Sequence, residues 1–335
     1  MSELRRIRID NFVAPTTEHR ITLVQLSVHL ISSRSGGAPF TLESTPEHIA
    51  KIKSALTLAL VQNWSGLIVL PEISTPVASA RELVDVCCDL VRSRPQAAGG
   101  CVVMLPLEHV SLANLGSLVS DLAQAGRVAL GDPPHGQTLL AEDIFHPVPP
   151  AERAQGFVNA SLLLVIPSSG GDSEASLFVQ PKLFPYPGER TPASAVFIPG
   201  RITYLLELGD TRMMGAICFD MIAQPPGMGL FLGGLVEEVQ RRFGDLHYLL
   251  LPQCNPEPLD HSFQHALADL YHRAQVSSQT LRIVSPNVST IVSTNAGTPA
   301  GHSWFVTCPF RSALPSLGIW ERSLPSMVVD PDPTP

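Results

Sequence analysis

Three residue types that could act together in covalent catalysis follow short apolar runs of this sequence. Glu72 comes after LIVLP, Lys182 precedes Glu189 in PKLFPYPGER, and Cys218 lies beside Asp220 in GAICFD. A free thiol is only a few per cent thiolate at neutral pH, so a thiol nucleophile needs a nearby base. A carboxylate can take the thiol proton, and an ammonium can stabilise a developing oxyanion. Glu, Lys and Cys are therefore sufficient for covalent acyl transfer without His.

Each of these residues has an ordinary structural explanation when it is considered alone. A Cys in an apolar strand is usually an inert core residue. A Glu after a strand-ending Pro often begins a helix or lies on the surface, and a Lys in a loop is usually solvated. What favours catalysis is the joint pattern of the three motifs, because together they match a known family.

With these motifs in this order, the chain resembles the nitrilase, or carbon–nitrogen hydrolase, superfamily. That family carries a Glu after an apolar strand ending in Pro, a Lys before an aromatic and Pro-rich turn with a Glu, and a Cys in an I-C-x-D sequence. Weaker landmarks occur in the family's order as ITLVQLSV, NASLLLVI, HRA and GHSWFV, which begin at residues 21, 159, 272 and 301. The resemblance covers about 21–330, most of the chain.

The resemblance implies a role for each motif residue. Glu72 would be the base, Cys218 the nucleophile, and Lys182 together with the backbone N–H of Phe219 would hold the oxyanion. Glu189 would be a second carboxylate that positions Lys182 or the substrate. The implied reaction is hydrolysis of a non-peptide carbon–nitrogen bond, in an amide rather than a nitrile, and it requires no metal or organic cofactor.

Other hypotheses stay open at this point. The segment 109–156 is longer than the family's usual connection, and 221–228 is unusually apolar and rich in Pro and Gly. Both departures favour a catalytically silent, nitrilase-like binding or regulatory subunit. A true nitrilase is a further alternative. A Cys-His hydrolase built on Cys254 is a poorer one, because its candidate partners fall on one predicted helix: His261, His265 and His272.

Substrate-binding candidates are polar or aromatic residues near the predicted strand ends and in the turn after Lys182. They are Glu108, Tyr186, Gln253, Asn255, His302 and Trp304. Because catalytic and binding groups of α/β sheets cluster beyond the carboxyl ends of strands, these positions are favourable. A structural role explains each of them equally well.

The elements that must position these residues alternate between strands and helices, which predicts an α/β fold. Four strands are predicted where apolar runs end in Pro, at 67–71, 101–106, 162–167 and 248–252, and two more at 21–30 and 213–221. Helical patterns cover 44–59, 83–91, 117–125, 230–243 and 262–279. By resemblance, the architecture would be a four-layer α-β-β-α sandwich. We expect one domain over 1–330 with an atypical long insertion at about 109–156, and a flexible tail at 331–335.

Composition limits the partners. The chain has 335 residues, with 22 Lys and Arg against 30 Asp and Glu and a net charge of −8. The negative charge argues against nucleic acid or an anionic membrane as the main partner, which leaves small-molecule or protein partners. The resemblance implies a small-molecule amide or nitrile substrate. Charged residues are 16% of the chain, against roughly 25% in ordinary soluble proteins. The low charge predicts a surface partly buried in a homodimer or higher homo-oligomer.

The same sequence features suggest a cytoplasmic protein. No apolar run approaches the ~20 residues that span a bilayer, and the N-terminal residues do not form a signal peptide. The six cysteines form no CxxC pair and lie mostly in apolar runs. This pattern indicates reduced thiols rather than a disulfide framework or a zinc site.

Overall fold

The computed structural model describes residues 2–9, 12, 21–31, 40–94, 99–131, 141–153, 155–168, 174–189, 196–257, 260–277, 281–288, 290–293, 296–299 and 303–307. Within these residues, two six-stranded sheets form the centre of the molecule. The first sheet contains, in spatial order, β2 (Ile21–Leu23), β5 (Leu67–Val69), β6 (Cys101–Pro106), β10 (Ala160–Ile166), β11 (Ala175–Pro181) and β8 (Val128–Leu130). The second contains β1 (Glu3–Ile9), β13 (Ile202–Leu208), β14 (Thr211–Gly215), β15 (Tyr248–Leu250), β16 (Arg282–Ser285) and β19 (Trp304–Thr307).

Two smaller sheets accompany the large ones. One pairs β12 (Val196–Phe197), β9 (Gly156–Val158) and β7 (Val110–Ser111), and the other pairs β18 (Ala296–Pro299), β17 (Thr290–Ser293), β3 (Val28–Ile31) and β4 (Thr41–Leu42). The central strands β5, β6 and β10 are buried along their whole length. Continuous burial explains why they appear in the sequence as unbroken apolar runs instead of alternating ones.

Seven α-helices cover the sheets. They are α1 (Pro46–Thr57), α2 (Val77–Arg92), α3 (Leu112–Gln124), α4 (Ala141–Ile144), α5 (Pro150–Arg153), α6 (Phe231–Phe243) and α7 (His261–Ser277) among the described residues. The Thr45 hydroxyl accepts a hydrogen bond from the His48 N–H and caps α1, and Pro46 fills the first helical position. Both features are typical of helix starts. No helix in this part of the chain combines the length and apolar character needed to cross a bilayer.

The two large sheets pack face to face through β11 and β13. Phe178 and Tyr204 meet edge to face with ring centroids 5.3 Å apart, and the Gln180 side chain accepts a hydrogen bond from the Tyr204 N–H. One hydrophobic cluster includes buried side chains of α1 to α3, both sheets, and α6 and α7. Helices therefore cover the two sheets in an α/β architecture consistent with the expected α-β-β-α sandwich.

Two predicted strands differ in detail from the structure. The run 21–30 forms two strands, β2 and β3, which belong to different sheets. The strand predicted over 213–221 ends at Gly215, and Cys218–Met221 forms a 3-10 turn in which Cys218 has a φ of 42°. Part of the expected insertion 109–156 is built into the fold, since α3 packs on the molecule and β8 pairs with β11 at the edge of the first sheet. The tail 331–335 lies outside the described residues.

Candidate active site

The three motif residues converge where strands of the two large sheets end. Glu72 follows β5 and Lys182 follows β11 in the first sheet, whereas Cys218 follows β14 in the second. All three side chains line one cavity of about 400 Å³. The fold thus brings together residues that are far apart in the sequence.

The Cys218 turn is fixed by backbone and carboxylate contacts. The Cys218 N–H donates to the carbonyl of Pro252 at 3.0 Å. Asp220 Oδ1 accepts hydrogen bonds from the N–H groups of Leu183 and Phe184, at 3.0 and 2.8 Å, and Oδ2 accepts one from Ile217. Asp220 therefore ties the turn that carries Cys218 to the loop that carries Lys182.

Asp220 is completely buried, and its surroundings have two opposing effects on its pKa. Burial raises the pKa of the Asp220 carboxyl to about 7, while the hydrogen bonds from the backbone N–H groups oppose this increase. Burial favours the neutral carboxyl because a charged group loses its hydration in the protein interior.

Lys182 lies between two buried carboxylates. Its Nζ is 2.9 Å from Glu72 Oε1 and 3.0 Å from Glu189 Oε1. Burial alone would lower the pKa of Lys182, but the carboxylates of Glu189 and Glu72 raise it well above its usual value. Burial would raise the pKa of Glu189, but the Lys182 ammonium and His109 hold it well below its usual range. The geometry therefore keeps Lys182 charged and Glu189 ionised.

Glu189 is placed by the short turn Pro187–Glu189 that follows Lys182. The N–H of Tyr186 donates to Glu189 Oε2 at 2.6 Å. This hydrogen bond joins the carboxylate at the end of the turn to the backbone just before its start. The prolines in PKLFPYPGE restrict the backbone here, because each fixes its own φ and limits the residue before it. The turn leaves Glu189 Oε1 facing the Lys182 ammonium.

Two buried residues that sequence reasoning did not select as site residues complete the cluster. Asn159 Nδ2 donates to Glu72 Oε1 at 2.8 Å and to Glu189 Oε1 at 3.2 Å. His109 Nε2 lies 2.9 Å from Glu189 Oε1. The apolar run NASLLLVI gave a sequence signal for the strand that follows Asn159, but nothing in the sequence signalled the contact with His109.

The His109 ring is enclosed by two aromatic side chains. It stacks on Phe157 with centroids 5.0 Å apart and meets Phe40 at 5.3 Å. Its side chain is fully buried, and Nδ1 has no hydrogen-bond partner among the described residues. Since Phe40 lines the cavity, His109 connects the cavity wall to Glu189.

The Cys218 thiol is held in its neutral form by its surroundings. Burial raises the pKa of Cys218 well above its usual value, the Glu72 carboxylate raises it further, and the Lys182 ammonium lowers it. The Glu72 carboxylate and the backbone N–H of Cys254 both lie close enough to the thiol to affect its pKa. The thiol therefore needs a base to become a nucleophile, and Glu72 is the carboxylate close to it.

A second thiol, that of Cys254, lines the same cavity. The Cys254 N–H donates to Glu72 Oε2 at 3.0 Å, so both Glu72 oxygens are engaged. Burial raises the pKa of the Cys254 thiol well above its usual value. No contact in the described part of the chain joins this thiol to a histidine of α7, where His261 and His265 stack on each other.

The rest of the cavity wall is mainly apolar. Its aliphatic and aromatic side chains are Leu30, Phe40, Ile73, Tyr186, Phe219, Ile222, Pro256, Phe263 and Ile291. Tyr186 and Phe219 meet edge to face at 6.0 Å. Asn255, Glu257 and Asp260 provide polar groups in this wall. The size and lining are typical of a small-molecule site.

Only some of the predicted substrate-binding residues line the cavity in the structure. Tyr186 and Asn255 line the cavity, whereas Glu108 and Gln253 are not among the described residues that do. Glu108 instead accepts hydrogen bonds from the N–H groups of Leu42 and Val77 at 2.7 and 2.8 Å, and so caps the start of α2.

The remaining predicted binding residues have different outcomes. The Gln253 carbonyl accepts the Glu72 N–H at 3.2 Å, which gives Gln253 a backbone role in placing the carboxylate. His302 and the side chain of Trp304 lie outside the described residues.

Neither a candidate metal cluster nor a disulfide occurs among the described residues. They contain no group of three or more His, Cys, Asp and Glu side chains arranged to hold a metal ion. The five cysteines described, Cys87, Cys88, Cys101, Cys218 and Cys254, are all free thiols.

Comparison with known proteins gives similarities at the level of structure. No family model and no curated protein sequence matches the chain. A mutant amidase from Nesterenkonia sp. AN1, with acrylamide added to its active-site cysteine, is 14% identical with a TM-score of 0.44, over 87% of this chain and 86% of that one. XC1258 from Xanthomonas campestris, a CN-hydrolase superfamily protein, is 16% identical with a TM-score of 0.44, over 86% and 82%.

A third similar structure belongs to a larger protein. Glutamine-dependent NAD+ synthetase from Acinetobacter baumannii is 13% identical with a TM-score of 0.44, over 88% of this chain and 44% of that one.

Proposed function

We propose that the protein is a carbon–nitrogen hydrolase of the nitrilase superfamily that cleaves an amide through a thioester on Cys218. One observation carries the proposal. The Glu72 carboxylate lies 2.9 Å from the Lys182 ammonium and close to the Cys218 thiol, and all three line the cavity. A base, a cation and a nucleophile are therefore together where a small ligand can reach them.

In the acylation step, Glu72 takes the Cys218 proton as the sulfur attacks the amide carbon. The new carbon–sulfur bond places a negative charge on the carbonyl oxygen. An ammonium has three N–H donors, and two of those on Lys182 are directed to Glu72 and Glu189. The third donor is left for the oxyanion.

The backbone N–H of Phe219 is the second oxyanion donor. It belongs to the first turn of a helix, where N–H groups have no partner within the helix, and Phe219 lines the cavity. Removal of one such donor typically costs ~10²–10³ in rate. Collapse of the tetrahedral intermediate breaks the carbon–nitrogen bond, and protonated Glu72 gives its proton to the leaving amine.

In the deacylation step, water attacks the thioester. Glu72, now a carboxylate again, takes a proton from the water as the new carbon–oxygen bond forms. The carbon–sulfur bond then breaks, and Glu72 returns the proton to the Cys218 sulfur. The carboxylic acid leaves and the resting site is restored. Glu189 does not exchange protons in this scheme, because its role is to hold Lys182.

An amide is favoured over a nitrile because amides are the commoner substrates in the resembled family. The cavity that reaches Cys218 supports an enzyme rather than a silent subunit. In a silent subunit we would expect the nucleophile to be closed off from a small ligand. A panel of substrates and a labelling experiment distinguish these hypotheses.

The test is mass spectrometry of the intact protein after incubation with small amides and nitriles, together with measurement of released ammonia. The expected result is an acyl adduct on Cys218, absent from Cys254, and loss of turnover in Cys218→Ala. Cys88→Ala removes a thiol buried in α2 and serves as the matched control, with turnover retained. Substantial turnover by Cys218→Ala would contradict the mechanism. Alkylation of Cys218 no faster than that of the other thiols would favour the silent subunit.

A further inference from the structure

Asn255 presents an unpaired hydrogen-bond donor beside the cavity. It lines the cavity wall, only 7% of its surface is exposed, and its Nδ2 has no partner among the described residues. Its Oδ1 accepts the Glu257 N–H at 2.9 Å, which fixes the orientation of the amide. A buried donor without a partner is unfavourable, so an oxygen acceptor on a ligand would complete the site.

The backbone of Asn255 is also held rigidly. Its N–H donates to Asn287 Oδ1 at 2.9 Å, and its carbonyl accepts from Asn287 Nδ2 at 2.9 Å. This paired arrangement leaves the side chain of Asn255 little freedom to find another acceptor. A donor fixed in advance can discriminate strongly between ligands that accept its hydrogen bond and ligands that do not.

Two exposed carboxylates, Glu257 and Asp260, line the same cavity near Asn255. Asp260 Oδ1 accepts the Ser262 N–H at the start of α7, and hydrogen bonds from Ser262 hold the pKa of Asp260 below its usual range. The carboxylate of Asp260 is therefore charged at neutral pH. Both acidic side chains therefore lie in the solvent-exposed part of the cavity wall.

No positive charge in the described wall offsets these carboxylates. Lys182 is the one Lys or Arg among the described lining residues, and it is already paired with Glu72 and Glu189. Repulsion between like charges on a ligand and on its binding site slows association, and salt screens this repulsion. The cavity wall therefore disfavours an anionic ligand.

Resting on the proposed function, we infer that the substrate class is a small amide that carries no carboxylate and offers an uncharged oxygen acceptor to Asn255 Nδ2. The apolar wall packs against the carbon skeleton of the substrate, Asn255 binds the acceptor, and Glu257 with Asp260 rejects acids. Neutral and cationic amides are accepted, whereas amides with a free carboxylate are excluded.

The charge selection can be tested without turnover by alkylation of Cys218. Iodoacetamide is neutral and iodoacetate is anionic, and both transfer a two-carbon group to the sulfur with loss of iodide. The ratio to measure is the alkylation rate with iodoacetamide divided by the rate with iodoacetate. We expect this ratio at Cys218 to exceed the ratio for free cysteine by about three- to tenfold at low ionic strength, and to fall as salt is added. The double variant Glu257→Gln with Asp260→Asn should lose this excess. An unchanged ratio in that variant overturns the charge assignment.

The acceptor requirement can be tested with matched substrates. Succinamide carries a second carbonyl oxygen, whereas pentanamide has a similar length without it. We expect kcat/KM of the native protein to favour succinamide by about fivefold or more, consistent with one hydrogen bond. Asn255→Asp keeps the acceptor for the Glu257 N–H but replaces the donor with an oxygen, and it should remove the preference. The inference is contradicted if the native protein and Asn255→Asp prefer succinamide over pentanamide by the same factor.

The outcomes separate this inference from the proposed function. If amides are cleaved through Cys218 without these preferences, the inferred substrate class is wrong, but the proposed hydrolase function is supported. If neither alkylating reagent nor any amide modifies Cys218, both fail. Thermal unfolding of each variant shows whether a changed ratio arises from a damaged fold.

Discussion

The hydrogen bond between His109 and Glu189 can be changed without altering the reacting atoms. Lys182, Asn159, Tyr186 and His109 each bring an N–H to the Glu189 carboxylate. Two substitutions separate the hydrogen bond of His109 from its ring. His109→Phe keeps an aromatic ring beside its neighbours and removes the donor, while His109→Gln keeps an amide donor and removes the ring.

The expected size of the effect follows from burial. A hydrogen bond to a charged group contributes ~1.5–3 kcal/mol, and 1.36 kcal/mol corresponds to a tenfold change in rate. Glu189 is only 2% exposed, so water does not replace the lost donor. With His109→Phe, Glu189 depends more on Lys182 and draws that ammonium away from the oxyanion. We expect kcat to fall by about ten- to hundredfold.

The assay is steady-state amide hydrolysis, with kcat and KM determined separately. KM should change little, because His109 is not among the described residues that line the cavity. His109→Gln should recover most of kcat, since an amide N–H can still reach the carboxylate. Thermal unfolding of both variants controls for a general loss of structure.

Two results would refute this reasoning. Native kcat in His109→Phe would show that the hydrogen bond does not position Glu189 for catalysis. Equal losses in His109→Phe and His109→Gln, in proportion to lowered melting temperatures, would show that the ring acts only in packing.

Two further predictions concern buried charge. Lys182→Met removes the ammonium between the buried side chains of Glu72 and Glu189, which should lower the free energy of unfolding by about 3–5 kcal/mol. Adding Glu189→Gln should restore part of that stability but not activity, and native-like stability of Lys182→Met in urea unfolding would contradict this. Folding raises the pKa of Asp220 to about 7 from ~3.9 in an unfolded chain, so its contribution to stability is present below pH ~4 and is lost as pH rises through 7. The stability advantage of the native protein over Asp220→Asn should therefore shrink between pH 4.5 and 8, and a constant difference would show that Asp220 does not titrate there.

The sequence predicted the strands and the motif residues because their signals are local. The apolar run before Glu72 ends in Pro, and the structure places β5 there with the carboxylate just beyond it. The stripe of apolar residues at 83–91 lies within α2, and 230–243 matches α6 within one residue. Such features depend on neighbouring residues, so no knowledge of tertiary contacts was needed.

The remaining features depend on contacts between distant elements. His109 reaches Glu189 across 80 positions of sequence, and no local pattern predicts such a pair. Glu108 was a plausible binding residue from its place after β6, but its carboxylate faces the N–H groups of Leu42 and Val77. The direction in which a side chain leaves a strand end is determined by the loops packed around it, which the sequence pattern does not specify.

Two unusual backbone conformations explain how side chains from opposite sheets meet. Ile73, directly after Glu72, has a φ of 56°, and Cys218 has a φ of 42°. A β-branched residue rarely adopts a positive φ, and such conformations cost about 1–3 kcal/mol each. Both occur just beyond strand ends, one in each large sheet, and both residues line the cavity. The surrounding packing holds these turns despite their cost, and the turns direct Glu72 and Cys218 toward each other.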